Sequence, residues 1–318
     1  MHCFIFLVSL VFLSTVVSSA HSKENIPFSP YIPQTVVYWG QNGGNTVEND
    51  DLSAYCSSTA GIDVIVLAFL YQYGNGATIP AGTIGQSCSI STSGTSSQCE
   101  NLAVSIGKCQ SKGVKVILSL GGAVGQYSLS SQSEAETIGQ YLWDAYGNTE
   151  VKNVHRPFGG NFVDGWDFDI EVSSGSQYYQ HLINKLRSNF PSDPANTYYI
   201  TGAPQCPIPE PNMQQIITSA QFDYLWIQFY NNPSCSVNGP INFRSWVDNV
   251  AGTPSSDAKL FIGLPASPLA ATGTQNGAHE PLFGGVMMWS AGFSDSNNMN
   301  GCNYVQQTRS ILTTGWSC

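Results

Sequence analysis

The chain has 318 residues, with 11 Lys and Arg against 21 Asp and Glu, and its formal net charge is −10 at pH 7. This length is enough for one large domain or two small ones, and the negative charge argues against nucleic acid or an anionic membrane surface as a partner. Few charges and abundant Gly, Ser, Asn, Gln and Tyr fit a secreted protein that binds a neutral polar ligand.

The N-terminus has the pattern of a secretory signal peptide. Residues 4–17 form an apolar run, and residues 18–20 (Ser-Ser-Ala) form a small-residue cleavage pattern. We therefore expect residues 1–20 to be removed, residues 21–34 to be a polar lead, and the protein to be secreted into the extracellular space. An uncleaved anchor is the alternative, but the run is shorter than the roughly 20 residues that span a bilayer.

The cysteines indicate an oxidising compartment. Removal of the signal peptide also removes Cys3 and leaves eight cysteines, an even number that suggests four disulfides. The spacing alone does not determine how they pair. Because no Cys-x-x-Cys pair is present, we predict no metal site, and nothing in the sequence indicates a cofactor.

Eight apolar runs are predicted to be strands. Several are apolar throughout instead of alternating, which is typical of parallel strands that are covered on both faces. The predicted strands are residues 35–39, 63–71, 114–120, 163–171, 198–203, 224–230, 260–264 and 285–289.

Helical patterns follow most of these strands. They cover residues 50–57, 102–109, 134–146, 178–190, 213–220, 243–250 and 304–312.

Repeated strand–helix alternation predicts a single-domain α/β fold, the closed (β/α)8 TIM barrel, over residues 35–318. An open doubly wound sheet is the alternative, although no Gly-x-Gly-x-x-Gly follows the first strand. Two stretches break the pattern. Residues 74–98 are predicted to be a long loop held by a disulfide, and residues 267–283 predict a reduced seventh helix.

The predicted fourth strand carries the most distinctive chemistry. Side chains alternate between the two faces of a strand, so Asp167, Asp169 and Glu171 share one face and apolar side chains fill the other. If the acidic face points into the protein, repulsion and desolvation raise the pKa of at least one acid, which then stays protonated near neutral pH. Such a group can act as a general acid. An acidic solvent face and a calcium site are the alternatives.

Aromatic and amide side chains lie at the ends of the other predicted strands. In a barrel, function belongs at the C-terminal ends of the strands. Aromatic faces stack on sugar rings and amides pair with hydroxyl and acetamide groups, so the pattern predicts a sugar-binding cleft. The candidate substrate-binding residues are Tyr38, Phe69, Gly122, Gln205, Gln228 and Trp289.

Five motifs in order resemble one family of hydrolases. Residues 164–171 match the Asp-Gly-x-Asp-x-Asp-x-Glu signature of glycoside hydrolase family 18, and residues 119–122 (Ser-Leu-Gly-Gly) match its second motif. Residues 38–42, 203–207 and 228–233 resemble the class III chitinase branch, which has plant and fungal members. The resemblance covers nearly the whole mature chain.

The resemblance implies a barrel that hydrolyses β-1,4-linked N-acetylglucosamine by a retaining, substrate-assisted mechanism. Glu171 would protonate the glycosidic oxygen and then act as the base for water. Asp169 would hold the substrate acetamide N–H, and Asp167 would share a proton with it. Tyr230 would hydrogen-bond the acetamide oxygen, and Trp289 would form the floor under the sugar at subsite −1.

The resemblance also implies cis peptides at Ala68–Phe69 and Trp289–Ser290, and a structural role is expected for Asp164. It implies three disulfides and leaves two cysteines, which we expect to pair with each other. The implied pairs are Cys56–Cys109, Cys88–Cys99 and Cys206–Cys235, with Cys302–Cys318 as the remaining pair.

Together these features predict a secreted, monomeric endo-acting chitinase whose substrate is chitin or a chitooligosaccharide. One alternative is a catalytically inactive relative that binds carbohydrate or inhibits other hydrolases. Another is an endo-β-N-acetylglucosaminidase that cleaves the chitobiose core of N-glycans. Inactive relatives usually lose the acid or block the cleft, whereas Glu171, Asp169, Asp167 and Tyr230 are all present, which favours an enzyme.

Overall fold

The computed structural model describes residues 32–48, 51–236, 240–268, 270 and 282–318. The expected signal peptide and most of the polar lead lie outside the described residues, as does most of the stretch 267–283 with its expected reduced helix. Within the described part of the chain, every helix is too short or too polar to span a bilayer.

Eight parallel strands close into a barrel, and this confirms the predicted fold. The strands are β1 Gln34–Trp39, β2 Val64–Gly74, β3 Lys115–Gly121, β4 Gly165–Asp169, β5 Tyr199–Gly202, β6 Tyr224–Gln228, β7 Lys259–Pro265 and β8 Phe283–Trp289. Each strand pairs with the next in this order, and β8 pairs with β1 to close the barrel.

Helices follow most strands and pack on the outside of the barrel. They are α1 Glu100–Ser111, α2 Gln132–Tyr146, α3 Tyr179–Asn189, α4 Gln214–Ser219, α5 Phe243–Val250, α6 Ala291–Asp295 and α7 Tyr304–Thr314. Short 3-10 turns occupy Gly43–Asn45, Ser176–Tyr178 and Phe190–Ser192. Two of the helices have a side-chain cap at the N-terminus. The Glu134 N–H donates to Ser131 Oγ at α2, and Asn303 forms a capping box at α7.

The helix predicted over residues 50–57 is wrong. The described residues of that stretch, 51–57, form turns instead. The buried Leu52 carbonyl accepts the Cys56 N–H, and Cys56 is disulfide-bonded to Cys109 of α1. Ser57, Ser58 and Thr59 follow Cys56 and weaken a helix, because Ser competes for backbone hydrogen bonds and Thr loses side-chain freedom. The first crossover is therefore held by a covalent bond and turns.

The barrel strands are buried on both faces, which explains their continuous apolar sequences. On β2, Val64, Val66 and Ala68 belong to the core inside the barrel. Ile65 and Leu67 belong to the larger core between the barrel and its helices. Each fully buried aliphatic side chain of this size contributes about 1.5–3 kcal/mol, so neither face of such a strand tolerates a polar residue without a partner.

Residues 74–98 contain ordered strands, so their prediction as a loop is wrong. Ala77–Ile84 pairs antiparallel with the end of β2, Cys88–Ile90 pairs with Ala77–Ile84, and Ser96–Ser97 pairs with Cys88–Ile90. The Cys88–Cys99 disulfide ties the end of this ladder to the start of α1. Backbone pairing, which depends little on the Gly- and Ser-rich composition, extends the barrel wall beyond β2.

The disulfides join the same four pairs that the sequence resemblance and the two remaining cysteines suggest, including Cys302–Cys318 near the end of the chain. The cis peptides at Ala68–Phe69 and Trp289–Ser290 are present as well, together with one at Ile208–Pro209.

Candidate active site

The acidic face of β4 points into the barrel. Asp167 is completely buried, Asp169 is 4% exposed, and Glu171 is partly exposed just beyond the end of the strand. On the opposite face, Trp166 and Phe168 pack against the helices. The alternation predicted from the sequence is therefore confirmed, and the alternative of an acidic solvent face is excluded.

Asp167 receives hydrogen bonds from four different strands. Tyr38 Oη on β1 and Ser119 Oγ on β3 donate to Oδ2 at 2.7 and 2.6 Å. Thr201 Oγ1 on β5 and Trp226 Nε1 on β6 donate to Oδ1 at 2.6 and 2.8 Å. Burial raises the pKa of Asp167, and these four hydrogen bonds oppose that rise. The carboxyl group is thus fixed in place at the centre of the barrel.

Asp169 is the acid most strongly perturbed by its neighbours. Gln228 Nε2 donates to Asp169 Oδ1 at 3.0 Å and to the Ala203 carbonyl at 2.9 Å. Burial raises the pKa of Asp169 well above its usual range, and the charges of Glu171 and Asp167 raise it further. Asp169 consequently retains a proton at a pH where an exposed aspartate has lost it.

Glu171 lies at the mouth of the barrel, between solvent and the buried aspartates. Gln205 Nε2 approaches Glu171 Oε2 at 3.4 Å, which is a long hydrogen bond. Burial raises the pKa of Glu171; the bond from Gln205 opposes this rise and the charge of Glu210 adds to it. Partial exposure together with a raised pKa suits a group that must meet a substrate and still carry a proton.

Glu210 is a buried acid that the sequence analysis did not identify. Its Oε1 accepts the Gln205 N–H at 3.1 Å, and its Oε2 accepts the N–H groups of Asn212 (at 2.7 Å) and Met213. These bonds fix the loop that carries Gln205 and the start of α4. Glu210 is 4% exposed, and its position behind Gln205 brings a further negative charge close to Glu171.

Three aromatic side chains form a surface beside the acids. The ring centroids of Tyr38 and Trp289 are 5.5 Å apart, and those of Phe69 and Trp289 are 5.8 Å apart with the rings stacked. Gly122 lies against this surface: a Cβ there would lie 3.0 Å from the Phe69 ring, and its φ of +94° also favours glycine.

Tyr230 completes the group of residues predicted from the sequence. Its side chain is 5% exposed, and burial, followed by the charges of Asp169 and Glu171, raises its pKa well above the usual range. The Tyr230 phenol therefore stays protonated beside both carboxyl groups. The structure thus brings together all ten predicted catalytic and substrate-binding residues, from β1 to β8, at one end of the barrel.

Residues 34–311 match the model of the glycosyl hydrolases family 18. The chain belongs to glycosyl hydrolase family 18. It is 60% identical to endochitinase 2 of Metarhizium robertsii over 311 residues, which cover 90% of this chain and 74% of that protein.

Solved structures resemble this one over most of the chain. The ICChI chitinase from Ipomoea carnea is 34% identical with a TM-score of 0.69, over 88% of this chain and 98% of that chain. The xylanase and alpha-amylase inhibitor protein from Scadoxus multiflorus is 31% identical with a TM-score of 0.67, over 90% of this chain and 99% of that chain. The same fold therefore occurs in an enzyme and in an inhibitor. The fold alone does not determine the function of this chain, and the residues of the site must decide between the two.

Tyr127 is a second residue of the site that the sequence did not predict. Its hydroxyl donates to the Gly122 carbonyl at 2.7 Å and accepts the Glu171 N–H at 3.0 Å. A single tyrosine in a polar stretch after β3 has no periodic signal, and only the spatial register between strands shows its contacts. The partners of Asp167 were partly visible in advance, because Ser119 belongs to a recognised motif.

No group of His, Cys, Asp and Glu among the described residues has the arrangement of a metal site. Around Asp167 the neighbouring polar groups are hydrogen-bond donors, which occupy its oxygens in place of a cation. The calcium alternative for the acidic face of β4 therefore has no support in the described part of the chain.

Proposed function

We propose that this family 18 protein is a secreted, endo-acting chitinase that hydrolyses β-1,4 linkages between N-acetylglucosamine units with retention at the anomeric carbon. One observation carries the proposal: Glu171 stands at the mouth of the barrel beside the buried Asp169 and an aromatic surface. Similarity to an endochitinase over 90% of the chain supports chitin as the substrate.

Glu171 supplies the proton for the leaving group. Burial and the charge of Glu210 raise its pKa, so it remains protonated at a pH where an exposed glutamate is ionised. It donates this proton to the glycosidic oxygen as the bond to the anomeric carbon breaks. The resulting carboxylate then takes a proton from the incoming water.

A retaining mechanism also needs a nucleophile, and the described carboxyl groups near Glu171 are poorly placed for that role. Asp167 is fully buried under four donors, and Asp169 is buried and bonded to Gln228. The substrate's own 2-acetamide carbonyl therefore attacks the anomeric carbon and forms an oxazolinium ion.

The remaining residues orient that attack. Asp169 accepts the acetamide N–H and stabilises the positive charge, and Asp167 shares a proton with it because burial raises the pKa of both. Tyr230 donates a hydrogen bond to the acetamide oxygen. Trp289, stacked on Phe69, forms the floor under the sugar.

Four disulfides support the extracellular part of the proposal, because such bonds persist in oxidising compartments. The apolar N-terminal run with its small-residue cleavage pattern agrees with this location.

Glu171→Gln tests the proposal with colloidal chitin as the substrate. We expect the release of soluble sugar to fall by about 10²–10⁴-fold, because the amide cannot protonate the leaving group. Glu150→Gln, which changes an exposed glutamate in a loop, is the matched control and should retain full activity.

The products test the mechanism. Chitooligosaccharides should first yield the β anomer, and deacetylated chitosan should not be cleaved because it lacks the acetamide nucleophile. An inverted product, or unchanged turnover without acetyl groups, would contradict the substrate-assisted mechanism.

The second candidate function is inhibition of other hydrolases, which the close structural match to the Scadoxus multiflorus inhibitor favours. In that case wild type and Glu171→Gln would be equally inactive on chitooligosaccharides. Both would also slow a xylanase or an α-amylase in a mixed assay. The intact set of acids beside Tyr230 supports the enzyme.

A further inference from the structure

The Tyr127 hydroxyl bridges the end of β3, whose Gly122 packs on the aromatic surface, and the end of β4, which carries the acid. The backbone ladder between β3 and β4 ends at the pair Gly121–Asp169. Beyond it, the Gly122 N–H donates to the Asp169 carbonyl at 2.8 Å. The Tyr127 hydroxyl then donates to the Gly122 carbonyl at 2.7 Å and accepts the Glu171 N–H at 3.0 Å. A side chain thus continues the pairing for one more step.

Both ends of this bridge contact functional groups. The Gly122 backbone packs so closely on the Phe69 ring that a Cβ would lie 3.0 Å from it. The Glu171 N–H belongs to the residue that carries the proton. One hydroxyl group therefore sets the distance between the sugar-binding surface and the backbone of the acid.

Tyr127 is itself held firmly in place. It is 6% exposed, and its ring stacks on Tyr73 with centroids 5.5 Å apart and planes 19° apart. The short strand Gln126–Tyr127 also pairs in parallel with the end of β2. A hydroxyl on such a rigid support can position a neighbouring backbone group more precisely than a mobile loop can.

We propose that Tyr127 is a positioning residue that holds the Glu171 backbone where its carboxyl group reaches the glycosidic oxygen. The inference rests on the proposed function and adds a residue to its machinery. Tyr127 acts through Glu171, so its main effect falls on the proton transfers that Glu171 carries out. Small displacements of a general acid cost rate because proton transfer requires hydrogen-bond distance to the reacting atom.

Tyr127→Phe tests this proposal, with Tyr73→Phe as the matched control. Both substitutions remove one buried hydroxyl from the same stacked pair and keep both rings. The Tyr73 hydroxyl bonds only to the Tyr179 hydroxyl, at 2.9 Å, among the hydrogen bonds of the described residues. We expect Tyr127→Phe to lower kcat on chitooligosaccharides by roughly 10–100-fold with little change in KM, and Tyr73→Phe to leave both constants near wild type.

A second substrate separates positioning from general damage to the fold. A dinitrophenyl glycoside of chitobiose has a leaving group that departs without a proton. Tyr127→Phe should therefore release dinitrophenolate in the first turnover at nearly the wild-type rate, because that step precedes base catalysis by Glu171, while it remains slow on the oligosaccharide. Equal losses on both substrates, or equal losses in the two variants, would overturn the proposal.

A double-mutant cycle gives an independent measure. In the Glu171→Gln background, Tyr127→Phe should cause no further loss of rate, because a residue that acts through Glu171 has nothing left to position. A further tenfold loss would overturn the proposal. If wild type itself cleaved neither substrate, the proposed function would fail first, and the inference with it.

Discussion

The two ends of the barrel use acidic residues in opposite ways. At the N-terminal end, an aspartate precedes each of β2, β4 and β6, and its Oδ2 accepts a backbone N–H from the neighbouring strand. The three bonds are Thr35 N–H to Asp63 (2.8 Å), Val116 N–H to Asp164 (2.7 Å) and Ile200 N–H to Asp223 (2.7 Å). The same device thus recurs at three alternate strands.

Further donors neutralise or satisfy these aspartates. Arg309 pairs with Asp63 at 2.6 Å and Arg187 pairs with Asp223 at 2.8 Å. Gln110 donates to Asp164 at 3.0 Å. The aspartates at this end join strands and helices, so their role is structural, which agrees with the expectation for Asp164.

The acids at the C-terminal end have different neighbours. Among the described residues, none of Asp167, Asp169 and Glu171 forms a salt bridge with a cation. They are buried close to one another, so burial first, and then the charges of Glu171 and Asp167, raise the pKa of Asp169 well above its usual range. Acids at the N-terminal end stabilise the barrel, whereas those at the C-terminal end hold protons at a cost in stability.

Among the variants that test this comparison, Asp169→Asn should have the largest effect. It should change activity and stability in opposite directions. Activity on chitooligosaccharides should fall by at least about 100-fold, because an amide cannot ionise to stabilise the positive charge of the oxazolinium ion. The free energy of unfolding should rise by about 0.5–2 kcal/mol at neutral pH, because a buried ionisable group is replaced by a neutral one.

The pH dependence fixes the sign of that stability change. The pKa of Asp169 is raised in the folded protein, so wild-type stability falls as pH rises through this raised pKa and is fully restored only below about pH 4, the range of an ordinary aspartate. The gain in the unfolding midpoint of Asp169→Asn should therefore be larger at neutral pH than in acid. A variant less stable than wild type at neutral pH would contradict the comparison.

Asp223→Ala tests the other end of the barrel. It removes both the acceptor of the buried Ile200 N–H and the partner of Arg187, and we expect a loss of about 1.5–3 kcal/mol in the free energy of unfolding. Calorimetry measures this loss, and kcat of the folded enzyme should stay near wild type.

Asp248→Ala is the control for Asp223→Ala. Asp248 pairs with Arg244 one turn away on α5 at 3.7 Å, and both side chains are about two-thirds exposed (68% and 64%). An exposed pair of this kind contributes about 0.3–0.5 kcal/mol. If the two alanine variants lost equal stability, Asp223 would have no special structural role.

The sequence predicted best the features that depend on one strand or one helix. The alternation around Asp167 and Asp169 placed three acids on one face, and the continuous apolar runs identified all eight strands of the barrel. The period of a strand and its burial are properties of local sequence, so they survive without knowledge of the rest of the fold.

What the sequence did not predict depends on contacts between distant segments. The ladder after β2 consists of Gly- and Ser-rich strands. It forms because Ala77–Ile84 pairs with the end of β2, and this pairing has no signal in the sequence. Tyr127 and Glu210 act on backbone groups of other segments, at Glu171 and Gln205. No pattern in a single sequence specifies which backbone N–H a given hydroxyl or carboxylate will meet.

Glu210→Gln should give the smallest effect, and it tests whether negative charge behind the site tunes the acid. After burial, the charge of Glu210 raises the pKa of Glu171, and Asp169, Tyr230 and Tyr127 also face Glu171. Glu171 must be protonated to act, so removal of the Glu210 charge should lower its pKa and move the basic limb of the kcat/KM profile to lower pH.

The amide of the Glu210→Gln variant also faces the backbone N–H groups that the carboxylate accepts at Asn212 and Met213, so some stability will be lost. The position of the basic limb does not depend on how much enzyme is folded, because the profile is scaled to its own maximum. Glu150→Gln, exposed in its loop, should leave the limb where it is. If the basic limb of Glu210→Gln stayed in place or moved to higher pH, the charge of Glu210 would not raise the pKa of Glu171. The contrast between the two ends of the barrel would then be wrong for this acid.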